Sequence, residues 1–164
     1  MAVKVMRIDD RLIHGQIVTA WIRDSGAKAI LVADDKAAKD ATQKMLLQLT
    51  TPKNINLYIE TIEEAAKKLS TGEIDEDLLL LVRDAKSANQ LFEFGFMIDT
   101  LNVGNISNSR SVTGRTTLLS YIHVEQQDVD NLYAIADRGI KLEIRAVPSD
   151  KSIDAIELLD KKFK

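Results

Sequence analysis

The chain has 164 residues, 45% hydrophobic and 29% charged, a size and balance that fit one compact domain over residues 1–164 and exclude disordered, collagen-like and low-complexity classes. No cysteine is present and there are two histidines, which removes disulfides, thiolate chemistry, zinc knuckles, iron–sulfur ligation and all-histidine metal sites. A net charge of −3 with 5% aromatic residues favours neither a nucleic-acid backbone nor base stacking, so a small-molecule or protein partner is expected.

Lys4 to Ile8 reads as a first strand ending at Asp9-Asp10, and Gln16 to Asp24 as a helix whose Ile17, Val18, Trp21 and Ile22 recur at helical spacing. Gly26 caps it before the apolar run Ala29 to Ala33. Lys36 to Leu49 is predicted as a second helix, Ile55 to Ile59 as a third strand, and Ile62 to Leu69 as a helix stopped by Gly72. Leu78 to Val82 is a buried strand, Ala88 to Phe94 a helix, and Thr100 to Val103 a short strand running into Gly104. After the polar stretch Asn105 to Arg115, Thr116 to Val124 reads as a strand and Val129 to Arg138 as a helix. Lys141 to Val147 is the last predicted strand, and a helix follows at Ile153 to Phe163. The expected fold is α/β: an open, mostly parallel sheet of about seven strands with helices on both faces. No apolar run approaches the roughly 18 residues that a membrane span needs, and the N-terminus lacks the pattern of a secretory signal, so a cytoplasmic location is expected.

Ligands of such sheets gather at the carboxyl ends of the strands, which draws attention to Asp9, Asp10, Arg11 and His14, to Asp34 and Asp35, to Asp84, and to Gly104. Gly15, Gly104 and Gly114 are the glycines left near this rim once helix caps are assigned. His14 stands immediately before Gly15 at a helix start. Neutral imidazole is a good nucleophile, and the N–H groups of a helix N-terminus would cradle a phosphoryl anion placed on it. The plainer alternative is a helix-start histidine hydrogen-bonded to a backbone carbonyl.

The run Arg7-Ile-Asp-Asp-Arg-Leu-Ile-His-Gly-Gln16 resembles the active-site loop of the IIB components of the bacterial phosphotransferase system (PTS), mannose/fructose/sorbose family. Val32-Ala-Asp-Asp35, Leu101-Asn-Val-Gly104 and Gly139-Ile-Lys-Leu-Glu-Ile-Arg145 resemble segments of that family in the same order. The resemblance implies a protein-N-phosphohistidine–sugar phosphotransferase without metal or other cofactor. His14 would accept a phosphoryl group from a phosphorylated IIA component and pass it to a hexose or amino sugar held by the membrane components IIC and IID. The protein would then lie at the cytoplasmic face of the membrane through IIC and IID; a homo-oligomer is left open. Arg11 matches the arginine that contacts the phosphoryl group and is expected to serve transfer rather than the fold. Asp10, Gly15, Arg7, Gly104, Arg110 and Arg115 are the auxiliary candidates, with the four arginines Arg7, Arg11, Arg110 and Arg115 expected to steer an acidic partner patch. The chain departs from the family where a second glycine usually follows Gly104 and Asn105 stands instead.

Other readings follow from the same residues. Asp9 and Asp10 with Asp34, Asp35 or Asp84 could hold a hard cation, although aspartates at such positions more often cap helices and orient arginines. His123 fits a strand-surface or packed histidine, and Trp21 fits the core of the first helix. A receiver-like signalling domain would use an Asp-Asp pair after its first strand, but strand three ends at Glu60 rather than aspartate and no Lys-Pro pair follows strand five. Neither glycine-rich nucleotide signature occurs in the chain.

Overall fold

A computed structural model describes residues 2–107 and 114–164. The main sheet has seven strands in the order β3-β2-β4-β1-β5-β8-β9. Its members are β1 (Val3–Asp9), β2 (Ala29–Ala33), β3 (Asn56–Glu60), β4 (Leu78–Val82), β5 (Thr100–Asn105), β8 (Lys141–Ile144) and β9 (Ile153–Asp154). Six are parallel and β9 runs antiparallel to β8.

All five side chains of β4 are fully buried, and they alternate between the two faces. Leu78, Leu80 and Val82 join one apolar core; Leu79 and Leu81 join the other. That period of two, with no polar face, is what a central parallel strand covered on both sides requires. Each such side chain contributes about 1.5–3 kcal/mol relative to exposure. The helices α1 (Gly15–Ser25), α2 (Asp35–Ala38) and α3 (Ala41–Thr50) supply Val18, Trp21, Ala37 and Leu47 to one core. The other core receives side chains from α4 (Ile62–Thr71), α5 (Ala85–Glu93), α6 (Gln126–Asp137) and α7 (Ala155–Phe163).

Four elements differ from the sequence reading. Lys36 to Leu49 is two helices, because the Asp40 carboxylate accepts from the N–H groups of Thr42 and Gln43 and starts α3 afresh. Thr116 to Val124 is a separate antiparallel hairpin of β6 (Thr116–Leu119) and β7 (Ile122–Val124), turned at Ser120-Tyr121 and outside the main sheet. The seventh sheet strand is instead Ile153–Asp154, and Asp154 then caps α7. The final parallel strand also ends at Ile144 rather than Val147.

From β1 the chain returns through α1 toward β2, whereas β5 leads the other way toward β8. Adjacent strands that leave in opposite directions open a crevice at their carboxyl ends. The segment after β1 and the segment after β5 meet there. No helix among the described residues is long and apolar enough to cross a membrane.

Candidate active site

β1 ends in a tight loop built around Asp9. Its carbonyl accepts the Leu12 N–H at 2.9 Å and its carboxylate accepts the Arg11 N–H at 3.0 Å. Leu12 adopts φ 60, the left-handed region that costs a non-glycine residue roughly 1–3 kcal/mol. Burial of the Leu12 and Ile13 side chains in the core beneath α1 and α3 offsets that cost and pins the loop. The chain then emerges at His14, which is exposed and occupies the N-cap of α1 with extended backbone. Its imidazole makes no capping bond, and the first turn of α1 carries no acidic residue. The positive end of α1 is therefore uncompensated beside the ring. A β-carbon added at Gly15 would meet nothing within 4 Å, so the surface next to His14 is open.

Arg11 is held by Asp9 in a bidentate pair, Nε to Oδ1 at 2.9 Å and Nη2 to Oδ2 at 2.8 Å. These bonds raise its pKa, against the opposing effect of partial burial. The Arg11 side chain is 37% exposed while Asp9 is 1% exposed, so the carboxylate anchors the guanidinium and leaves part of it at the surface. Such a fixed fork suits phosphoryl oxygens.

Arg7 is not at the rim. It is 1% exposed and donates to Asn102 Oδ1 at 2.7 Å, to the Arg145 carbonyl at 3.0 Å and to Asp9 Oδ2 at 3.1 Å. Burial lowers its pKa, with Asp9 acting in the opposite sense. The register explains this: Arg7 on β1 lies beside Asn102 on β5. Asn102 in turn donates to Glu143 at 2.9 Å, and Glu143 holds Arg145. The Arg7 and Arg145 guanidiniums lie 5.3 and 5.1 Å from the Trp21 ring centroid, and the indole N–H donates to the Ala146 carbonyl. Trp21 is thus core, as its helical spacing indicates, and also a cation–π partner. Arg7 is consequently an internal support of Asp9, and the expectation that it steers a partner is corrected.

Asp10 ties the two sides of the crevice together. Its oxygens accept from the Asn105 side chain and the Ser107 N–H, each at 2.7 Å. Asn105 therefore binds the His14 loop directly. Gly104 leaves room for Arg7. Arg115 is also corrected: its side chain is 5% exposed, donating to the His123 carbonyl and pairing with Glu125 at 3.1 Å. It braces the β6–β7 hairpin to the start of α6. Arg110 lies outside the described residues. His123, on β7, bonds Thr117 Oγ1 and the Ser120 carbonyl, the strand-surface role expected of it.

The remaining acidic rim residues work as caps. Asp34 and Asp84 accept the N–H groups of Ala37 and Ser87, and Asp35 accepts that of Ile62. Among the described residues no three acidic or imidazole groups converge as a cation site. Arg83 was missed in the sequence. It follows β4, donates twice to Asp34 and once to Gln43, and lines with Arg11, Leu12 and Ile13 a cleft of about 200 Å³. The signal was available: a lone arginine directly after the all-apolar β4, beside Asp84. Asn102 and Glu143 were likewise polar residues inside apolar strands, which marks a buried charge needing partners.

A family model described as "PTS system sorbose subfamily IIB component" matches residues 3–164. The chain is 33% identical over 160 residues to the PTS system fructose-specific EIIB component of Bacillus subtilis (strain 168), covering 97% of this chain and 96% of that protein. It is 28% identical over 162 residues to the PTS system mannose-specific EIIAB component of Escherichia coli (strain K12), covering 98% of this chain but 49% of that longer protein. The crystal structure of the IIBSor domain of the sorbose permease from Klebsiella pneumoniae matches with a TM-score of 0.90 at 26% identity, covering 98% of each chain.

Proposed function

The chain belongs to the sorbose-subfamily IIB components of the sugar phosphotransferase system, and from that membership we propose that His14 is its phosphoryl carrier. A ring nitrogen of His14 attacks the phosphorus of a phosphohistidine on a IIA component. The new N–P bond forms as the donor N–P bond breaks, and the bonding pair returns to the donor imidazole. In the second step a sugar hydroxyl oxygen, presented by membrane components IIC and IID, attacks the same phosphorus. The His14 N–P bond breaks and the hydroxyl proton leaves to solvent or to the freed ring. The relative named as an EIIAB component supports a IIA partner. The substrate class is a hexose or amino sugar, and the working place is the cytoplasmic face of the membrane.

The observation that carries this reading is the exposed imidazole at the uncapped N-terminus of α1, directly after the Asp9-anchored Arg11. Transfer passes through a loose, metaphosphate-like transition state, so the protein contributes positioning and charge stabilisation. The α1 N–H groups and the Arg11 fork provide both around the phosphoryl oxygens. The experiment is to incubate the protein with phosphorylated IIA and follow the label into the chain and on to sugar. His14→Ala is expected to take up none.

A further inference from the structure

We propose that the apolar outer face of α3, formed by Met45, Leu46 and Leu49, is the surface on which the phosphorylated IIA donor docks; this rests on the reading of His14 given above. The three side chains are 54%, 55% and 76% exposed. Their spacing of three and four residues puts them on one side of the helix, and α3 buries only Leu47 in the core. An amphipathic surface helix ordinarily turns such residues inward. Methionine and apolar side chains on the outside, bordered by cations, have the composition of an interface centre with a polar rim.

The face adjoins His14. Leu46 and Thr50 line the cleft that contains Arg11, Leu12 and Ile13. Thr50 also lines a second cleft, of about 530 Å³, that contains Gly15 and Gln16. Both chain neighbours of His14 therefore look across a cleft at the same helix. A donor that brings its phosphohistidine to His14 must cover the surrounding surface, up to about 600 Å² on each partner for a weak encounter. α3 is a wall of that surface.

Charge selects the donor over other occupants. Arg11 and Arg83 stand in the first cleft beside Leu46. Before transfer His14 is bare and these guanidiniums face an incoming phosphoryl anion. After transfer the group on His14 supplies that anion itself, and the sugar to be phosphorylated is neutral. A second copy of this chain would bring the same cations against them.

The test measures the rate of labelling from phosphorylated IIA as donor concentration is varied, for wild type, Leu49→Glu and Met45→Glu. The glutamates are expected to raise the half-saturating donor concentration at least tenfold, with the saturating rate within about twofold and the thermal midpoint unchanged. If wild type takes up no label, the carrier reading itself fails and this proposal with it. If wild type is labelled and both variants keep its donor dependence, the docking proposal is overturned while the carrier reading stands. Normal loading but slowed delivery to sugar in vesicles bearing IIC and IID would overturn it in favour of the membrane partner. Normal loading with loss of a dimer in sedimentation velocity would overturn it in favour of a second copy.

Discussion

The guanidinium of Arg7 fills the space that a side chain at Gly104 would need: a β-carbon there would lie 2.1 Å from Arg7 Cζ. Arg7 cannot swing aside, because Asn102, Asp9 and the Arg145 carbonyl hold it on β1 and Trp21 covers it. Gly104→Ala is therefore expected to displace a buried, paired cation and cost about 3 kcal/mol, within the range for breaking a buried ion pair. That corresponds to roughly 6–12 °C in thermal midpoint for a chain of this length. An unchanged midpoint by calorimetry would show that Arg7 has another place to go.

Arg11 is expected to serve both chemistry and fold through its pair with Asp9. Arg11→Ala is expected to slow phosphoryl transfer by about 10²-fold or more, the scale of losing one charge-stabilising donor. The sequence reading leaves stability untouched by this change; the bidentate pair revises that, since Asp9 is 1% exposed and loses two of its donors. A drop of about 1–3 kcal/mol should accompany the kinetic loss. Arg11→Lys separates the two effects, because it keeps the charge and gives up the fork. Full transfer activity in folded Arg11→Ala would remove this side chain from the mechanism.

Steering should fall to Arg11 and Arg83, the two guanidiniums that share a cleft beside the His14 loop, rather than to Arg7 or Arg115. At subsaturating donor, the transfer rate is expected to fall as ionic strength rises, and Arg83→Gln to flatten that dependence. Arg115→Ala is expected instead to lower stability by about 1–2 kcal/mol, with the salt dependence intact, because it unties the hairpin from Glu125. A salt response that vanished in Arg115→Ala would reassign the steering.

Alkaline stability depends on Tyr133. Burial, then its 2.6 Å bond to Asp160, raises its pKa from 10.0 to about 12. The folded state thus retains a proton that the unfolded state releases above pH 10. The resulting stability is complete below about pH 10 and is lost as pH climbs through about 12. Chemical denaturation across that window should show the decline in wild type and a smaller one in Tyr133→Phe. Equal slopes would contradict the assignment.

The α/β alternation and the helix starts were legible because apolar runs, caps and glycines act locally. Leu78 to Val82 reads as a strand buried on both faces from its composition alone. His14 before Gly15 likewise signals a helix N-terminus, and α1 begins there. Tertiary placement was not legible in the same way. An arginine near the end of a strand reads as a surface charge, and only the pairing of β1 with β5 shows that Asn102 accepts from Arg7 and Gly104 makes room for it. Arg115 reads as a loop charge until the hairpin folds back on Glu125. That hairpin itself was hidden, since Leu-Ser-Tyr-Ile carries none of the Gly or Asn signals of a tight turn.

The central claim is that one imidazole carries the phosphoryl group, and mapping the covalent label tests it most directly. After brief incubation with phosphorylated IIA, the label should be acid-labile and alkali-stable, lie on a peptide containing His14, and be absent from His14→Ala. Label on His123, on an aspartate, or on folded His14→Ala protein would contradict it.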